Sequence, residues 1–186
     1  MPFAFISTPI DGLIIIEPQV FGDERGFFFE SYKASDFLTN GIDAAFVQDN
    51  HAFSSKGVVR GLHFQTKPLT QGKLVRVLAG SVWDVAVDLR QESATFAKVF
   101  GLELSGDNKK MLFVPPGFAH GYATLEDNTH FLYKCTAEYS PQNERGVRYD
   151  DPDLGIDWPL KDVVASKRDV DMPTLAEIRG NLAEWL

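Results

Sequence analysis

The chain contains only four histidines, so each can be weighed as a candidate for proton transfer. His63 lies in segment 59–65, where a strand alternation puts Leu62 and Phe64 on one face and His63 on the other, more polar face. An imidazole titrates near neutral pH, so a histidine in such a position can act as a general base. A hydrogen-bonded structural histidine fits this segment equally well.

Two further side chains could take part in the same chemistry. Segment 130–139 alternates so that Tyr133 shares a face with Phe131, and taken alone Tyr133 is more simply an aromatic core residue than a proton donor. Lys73 follows Gln71-Gly72, where a lysine is ordinarily solvated at a strand edge. A lysine enclosed in a dry cavity would instead stabilise negative charge on a carbonyl oxygen. Both interpretations stay open for each residue.

Residues 115–121 read Pro-Pro-Gly-Phe-Ala-His-Gly, so His120 follows a Pro-Gly turn. Such a turn is typical of the second half of a cupin jelly roll, where the histidine is often a metal ligand. The first half normally supplies two histidines in His-x-His spacing and then a glutamate. Here that segment is His63-Phe64-Gln65, and Leu69 and Thr70 stand where the glutamate would be. We therefore predict a cupin-like scaffold with no metal site and no cofactor.

Length and composition favour one cytoplasmic domain over residues 1–186. The net charge of -8 argues against nucleic acid or an anionic membrane as a partner. Cys135 is the only cysteine, which excludes an internal disulfide and a cysteine-based zinc site. The first residues lack a signal-peptide pattern, and no apolar stretch approaches the roughly 20 residues that span a bilayer.

Strand signals dominate the chain. Residues 13–16 are Leu-Ile-Ile-Ile, and segments 82–89 and 98–104 alternate with the period of a half-buried strand. Turns rich in glycine, proline, asparagine and serine separate these segments. Short strands at fairly regular spacing predict an antiparallel sandwich or barrel rather than a parallel α/β sheet.

Helices are few in the prediction. Residues 34–40 form one short helix, and residues 174–185 form another at the C-terminus. In the second, Thr174 followed by Glu177 is a capping box, and the apolar positions behind it fall on one helical face.

Seven strings, in order, resemble successive motifs of the dTDP-4-dehydrorhamnose 3,5-epimerase family. Examples are Gly-Asp-Glu-Arg-Gly-Phe-Phe-Phe-Glu, Arg-Gly-Leu-His-Phe-Gln and Leu-Tyr-Lys-Cys. Each string is weak alone, but the order and spacing make a strong signal, which extends from about residue 5 to residue 175. The seven strings occupy residues 22–30, 47–51, 60–65, 73–77, 118–121, 132–135 and 151–159.

The resemblance implies a mainly β, cupin-type jelly-roll barrel with a few short helices. It implies a homodimer in which N-terminal strands cross to the partner subunit. The expected reaction inverts C3 and/or C5 of a dTDP-4-dehydro-6-deoxy-hexose, beside its C4 ketone, in biosynthesis of the dTDP-L-rhamnose type.

The resemblance also implies roles for particular residues. His63 would be the general base and Tyr133 the acid on the opposite sugar face. Asp169, in Ser166-Lys167-Arg168-Asp169, would orient His63, and Lys73 would meet the sugar O4. The positions that would hold the nucleotide diphosphate and the sugar are Arg25, Glu30, Gln48, Asn50, Arg60, His120, Glu144 and Arg168.

Some residues depart from the family pattern. Ala52-Phe53-Ser54 stands where Ser-Arg-Ser is usual, Arg168 replaces a lysine, and Tyr122-Ala123-Thr124 differs from the common continuation. These differences leave open whether one carbon or two are inverted, and in which deoxysugar pathway. The remaining alternatives are a metal-dependent cupin oxygenase and a non-catalytic sugar-binding cupin.

Overall fold

The computed structural model describes residues 2–186 and is built mainly of short strands. In chain order the strands are β1 (Phe3–Ser7), β2 (Ile14–Pro18), β3 (Phe21–Asp23), β4 (Gly26–Phe28), β5 (Gln48–Ser54), β6 (Val58–Gln65), β7 (Lys73–Ala79), β8 (Ser81–Asp88), β9 (Val99–Ser105), β10 (Met111–Val114), β11 (Phe118–Thr124), β12 (Thr129–Cys135), β13 (Glu144–Gly146) and β14 (Val164–Ala165). The helices are α1 (Ala34–Thr39), α2 (Lys167–Val170), α3 (Leu175–Ile178) and α4 (Leu182–Trp185).

The strands form two facing sheets. The first sheet has the order β1-β2-β10-β7-β12-β5 and the second the order β13-β6-β11-β8-β9. Apart from β14, which lies parallel to β6, the paired strands are antiparallel. The predicted mainly β, jelly-roll architecture is therefore confirmed.

The main core lies between the sheets, and inward-facing side chains of both contribute to it. Gly80 turns the chain from β7 in the first sheet to β8 in the second with φ +75°. A Cβ at this corner would lie 2.2 Å from the Thr129 hydroxyl oxygen, so only glycine fits. The buried members of this core are Ile10, Leu13, Val75, Val77, Val82, Ala86, Leu104, Leu112, Val114, Phe118, Tyr122 and Phe131.

Strand β8 corrects one prediction. Segment 82–89 was expected to be half-buried, but both of its faces are buried. Val82 and Ala86 face the core between the sheets, whereas Val85 and Val87 face a second core on the outside. The C-terminal helices cover that outer face, and such long-range covering is not visible in the alternation of one segment.

Both predicted helices are present, but the second is interrupted. The Thr174–Glu177 capping box is confirmed. A 3-10 turn, Arg179–Asn181, separates α3 from α4 where one continuous helix was predicted. Gly180 lies in this turn, and glycine is among the least favourable residues in a helix interior. The apolar stripe still packs as predicted, with Leu175, Ile178 and Leu182 buried against the second sheet.

The hairpin of β3 and β4 stands apart from both sheets. Its strands pair with each other as a separate two-stranded sheet. Phe21, Phe27 and Phe28 are 54%, 62% and 67% exposed. Side chains of this size are normally covered, so the hairpin presents an unusually apolar surface. By contrast, β1 pairs with β2, and β2 pairs with β10 of the same chain.

Within residues 2–186, no helix is long and apolar enough to cross a lipid bilayer.

Candidate active site

A cavity of about 340 Å³ opens between the two sheets. Strands β5, β7 and β12 of the first sheet form one wall, and β6 and β11 of the second sheet form the other. The predicted site residues that line this cavity are Gln48, Asn50, Arg60, His63, Lys73, His120, Tyr133, Glu144, Arg168 and Asp169.

His63 is held by a carboxylate that lies far away in sequence. Its Nε2 lies 2.6 Å from Oδ1 of Asp169, which is buried. With Nε2–H donated to Asp169, Nδ1 is the nitrogen left to accept a proton. Asp169 is fixed in turn by α2, where its backbone N–H donates to the Ser166 hydroxyl. Burial opposes ionisation of Asp169, but the bond from His63 and other contacts outweigh it and lower its pKa.

A bulge at Gly61 brings Arg60 and His63 to the same cavity. Three residues apart on a regular strand, these side chains would point to opposite faces. The pairing of β6 with β11 shifts between His120 and Tyr122, which removes that constraint. Gly61 has φ +131°, and a Cβ there would lie 2.5 Å from the Gly121 Cα. Only glycine permits the two strands to approach this closely.

Lys73 is buried, not solvated as a strand-edge lysine would be. Only 7% of the residue is exposed, because β7 lies in the middle of the first sheet between β10 and β12. Burial lowers the pKa of the Lys73 ammonium, while the charges of Cys135, Glu144 and Asp84 act in the opposite direction. The cavity therefore contains a poorly solvated cationic group.

Tyr133 lies on the wall opposite His63. It packs against the core between the sheets and also lines the cavity, so the core and site interpretations both hold in part. Burial, followed by the charges of Cys135, Tyr122 and Glu144, raises the pKa of Tyr133 to about 12, against a lowering by Arg60. The phenol therefore keeps its proton at neutral pH and can donate it.

A second histidine–carboxylate pair lies beside the first. His120 is 6% exposed, and its Nε2 lies 3.0 Å from both carboxylate oxygens of Asp84. In the pairing of β11 with β6, His120 lies opposite His63. Asp84 is fully buried, and a buried carboxylate without a hydrogen-bond partner is unfavourable, so the bond to His120 stabilises it.

The cavity rim carries a small polar network. Arg168 forms an ion pair with Glu144, and the Tyr139 hydroxyl donates to Glu144 at 2.5 Å. Burial opposes the charge on Glu144, but the bonds from Arg168 and Tyr139 lower its pKa overall. The Gln48 side chain accepts a bond from the Tyr139 backbone N–H. These contacts fix several polar groups around the opening.

Two predicted binding residues lie outside this set. Arg25 and Glu30 belong to the β3–β4 hairpin region and are exposed. Arg25 pairs with its neighbour Asp23, with Nε 3.1 Å from both carboxylate oxygens. In the single chain neither residue lines the cavity.

In the described part of the chain, no three side chains of histidine, cysteine, aspartate or glutamate are placed to hold a metal ion. The two cavity histidines each direct Nε2 to a separate carboxylate, Asp169 for His63 and Asp84 for His120.

The sequence alone did not identify several residues in or beside the cavity as part of the site. Asp84 does not line the cavity but holds the cavity residue His120, and it had a usable signal, since an aspartate inside the apolar β8 needs a partner. Gln65 also had a signal in the sequence, because strand alternation puts it on the same face as His63. In the structure its amide donates to the Leu69 and Glu138 carbonyls. Tyr122 and Gln71 gave none, because strand pairing between distant segments brings them to the cavity.

The fold and site together define a cupin-type acid/base protein with a polar, cation-bearing pocket. The family model described as dTDP-4-dehydrorhamnose 3,5-epimerase matches residues 7–177. The chain therefore belongs to the dTDP-4-dehydrorhamnose 3,5-epimerase family.

Individual relatives agree with this membership. The dTDP-4-dehydrorhamnose 3,5-epimerase of Methanothermobacter thermautotrophicus is 50% identical over 179 residues, covering 94% of this chain and 96% of the relative. A dTDP-6-deoxy-D-glucose-3,5-epimerase from Legionella pneumophila, solved with dTDP-4-keto-L-rhamnose, has a TM-score of 0.93 and 50% identity, covering 97% and 96% of the two chains. ChmJ, a 3'-monoepimerase from Streptomyces bikiniensis solved with dTDP-quinovose, has a TM-score of 0.89 and 31% identity, covering 97% and 91%.

Proposed function

We propose that the chain epimerises a dTDP-4-dehydro-6-deoxy-hexose at C3 and C5, in biosynthesis of the dTDP-L-rhamnose type. The observation that carries this proposal is the placement of His63 and Tyr133 on facing sheets around one cavity, with Lys73 in its wall. Inversion of a carbon requires proton removal on one face and proton return on the other. A base and an acid on opposite walls are suited to this task.

The first step is removal of the proton from the carbon beside the C4 ketone. Nδ1 of His63 takes the proton, and the electron pair of the broken C–H bond moves onto the carbonyl oxygen to form an enolate. Asp169 holds the imidazole in the required tautomer and stabilises the imidazolium that forms. The ammonium of Lys73 stabilises the oxygen charge in a buried environment.

The second step returns a proton to the opposite face. Tyr133 gives its phenolic proton to the carbon, the enolate collapses to the ketone, and the configuration is inverted. The phenolate then regains a proton from solvent, and His63 loses the one it took. The raised pKa of Tyr133 favours this role, because the phenol stays protonated until the enolate is formed.

The remaining cavity residues hold the substrate. Arg60 and Arg168 are cations suited to the diphosphate, because guanidinium offers paired donors. Gln48, Asn50, His120 and Glu144 present hydrogen-bonding groups to the sugar and the nucleotide.

Inversion of both carbons is favoured over inversion of one. Identity to the 3,5-epimerases of M. thermautotrophicus and L. pneumophila is 50%, against 31% to the 3'-monoepimerase from S. bikiniensis. A single-position epimerase remains the second candidate.

The test is incubation with dTDP-4-keto-6-deoxyglucose in deuterium oxide, followed by NMR. We expect the unaltered protein to incorporate deuterium at C3 and C5 and to form the L-configured product. Tyr133→Phe should retain exchange and lose inversion by about 10²-fold or more, since the base is intact but the opposite donor is missing. Exchange at C3 alone would establish the single-position alternative, and binding without exchange would establish a sugar-binding protein.

We propose further that the chain is a homodimer whose β3–β4 hairpin completes the partner's cavity. The hairpin pairs with neither of the two large sheets and presents exposed phenylalanines. Arg25 and Glu30, which the family resemblance implies are substrate ligands, lie away from the cavity of their own chain. If the two subunits of the dimer exchanged their hairpins across a two-fold interface, Arg25 and Glu30 of each subunit would reach the substrate in the partner's cavity.

Mixing two inactive variants tests this arrangement. Arg25→Ala lacks the hairpin cation, and His63→Ala lacks the base. In a mixed dimer the intact hairpin of one subunit meets the intact cavity of the other, so an equimolar mixture should recover about a quarter of the unaltered activity if dimers assort at random. If each subunit used its own hairpin, mixing would restore nothing.

We place this activity in the cytoplasm, with no nucleic-acid partner. Cys135 is a buried free thiol, as suits a reducing compartment. The net charge of -8 opposes association with a polyanion.

A further inference from the structure

Tyr122 carries a polar group that the mechanism above does not use. The residue is 4% exposed and lines the cavity. Its hydroxyl has no hydrogen-bond partner among residues 2–186. A buried tyrosine hydroxyl normally finds a partner, because leaving it without one is unfavourable. The ring stacks on Phe131 with centroids 4.1 Å apart, so packing fixes the direction in which the hydroxyl points.

Arg60 is the charged group beside this hydroxyl. It lies opposite Tyr122 in the pairing of β6 with β11. Burial raises the pKa of Tyr122, and the Arg60 charge, together with polar contacts to Ser54 and Arg60 whose geometry falls short of a hydrogen bond, only partly opposes that effect. The phenol therefore keeps its proton at neutral pH and is available as a donor.

The Arg60 guanidinium also lacks a counter-ion. Its Nε donates to the Ser54 hydroxyl at 3.2 Å, and one terminal nitrogen lies 3.4 Å from the Phe53 carbonyl oxygen. No carboxylate oxygen of residues 2–186 lies within 4.0 Å of it. A free cation beside an unused O–H donor is suited to an oxygen that carries negative charge.

We infer that the Tyr122 hydroxyl is a substrate-binding group, which donates a hydrogen bond to a diphosphate oxygen that also meets Arg60. The inference rests on the proposed function, since it adds a contact in the same cavity. The hydroxyl is covered before the substrate binds. The Arg60 side chain beside it is exposed and held by only the two contacts above, so we expect this side chain to shift when the diphosphate binds.

Calorimetric titration with dTDP tests the contact without requiring turnover. Tyr122→Phe removes one oxygen atom and keeps the ring that packs on Phe131. We expect the Kd for dTDP to rise about tenfold, which corresponds to about 1.4 kcal/mol. The Kd for dTDP-glucose should rise by the same factor, because both ligands contain the diphosphate.

Thr124→Val is the matched control. Thr124 lies two residues further on the same strand, is fully buried and also has an unpaired hydroxyl, but it does not line the cavity. Its removal should leave both Kd values unchanged. The thermal midpoint should not fall in either variant, because neither loses a bond made in the free protein.

The outcomes separate the two proposals. If the unaltered protein fails to bind dTDP, the proposed function is overturned, and this inference with it. Equal Kd values for the unaltered protein and Tyr122→Phe overturn the inference alone. So does weaker binding of dTDP-glucose only, which would assign the hydroxyl to a sugar oxygen. Weaker binding with a lowered thermal midpoint would indicate a packing role and also overturn it.

Discussion

We expect His63→Ala to abolish deuterium incorporation at both C3 and C5 of the ketosugar and to lower turnover by about 10²–10⁴-fold, the usual contribution of a general base. The expected loss is large because both carbons flank the same ketone and, on the proposed mechanism, depend on the same imidazole. His63 combines a cavity position with a buried carboxylate partner that leaves Nδ1 free, and its side chain is 30% exposed, against 6% for the other paired cavity histidine, His120. NMR of the sugar after incubation in deuterium oxide measures the exchange directly.

His130→Ala is the matched control for this result. His130 lies on β12 but on the outer face, where its Nδ1 lies 2.9 Å from Nε2 of His51. It does not line the cavity, so its removal should leave exchange intact. Retention of full exchange by His63→Ala would show that another group is the base. Equal loss in both variants would point to a disturbed fold rather than to lost chemistry.

The sequence predicts best the features that depend on one segment. The alternation around His63 correctly places Leu62 and Phe64 in an apolar layer and His63 in a polar cavity. The Thr174 capping box is equally local and is equally correct. Such features need only the period of a strand or the chemistry of a helix terminus.

The alternation of side chains within one segment cannot predict features that depend on pairing between distant segments. Lys73 looks like an edge lysine until β10 and β12 enclose its strand. Arg60 shares the cavity with His63 only because of the bulge at Gly61, which a period-two pattern cannot contain. Asp169 lies 106 residues from its partner His63, so only the family resemblance indicated that the two meet.

We expect Lys73→Met to lower turnover by about 10²–10³-fold, the usual cost of removing a group that stabilises an oxyanion. The variant should still bind dTDP, because the proposed mechanism uses Lys73 at the sugar ketone and not at the nucleotide. Slow deuterium exchange should persist, since the base is intact but the enolate is less stable. Unchanged turnover would show that the enolate charge is taken up elsewhere.

Lys73→Met should also raise the free energy of unfolding, and the pH dependence of stability shows why. Burial lowers the pKa of Lys73 in the folded state below the ordinary value of 10.5. At pH values between the lowered pKa of Lys73 in the folded state and its ordinary pKa in the unfolded chain, the unfolded chain binds more protons. Unfolding therefore becomes less favourable as the pH rises through this range. The charged ammonium therefore destabilises the fold at neutral pH, although the carboxylates of Glu144 and Asp84 offset part of that cost.

Thermal melts at neutral pH and at pH values approaching the ordinary lysine range measure this effect. Lys73→Met should melt higher than the unaltered protein at neutral pH, and the difference should shrink as the pH rises. Lys161→Met, at an exposed lysine, should show no such pH-dependent gain. A lower melting temperature for Lys73→Met at neutral pH would mean that the buried ammonium stabilises the fold overall. A gain in stability together with a loss of turnover would mean that the protein keeps a destabilising charge for its effect on the sugar ketone.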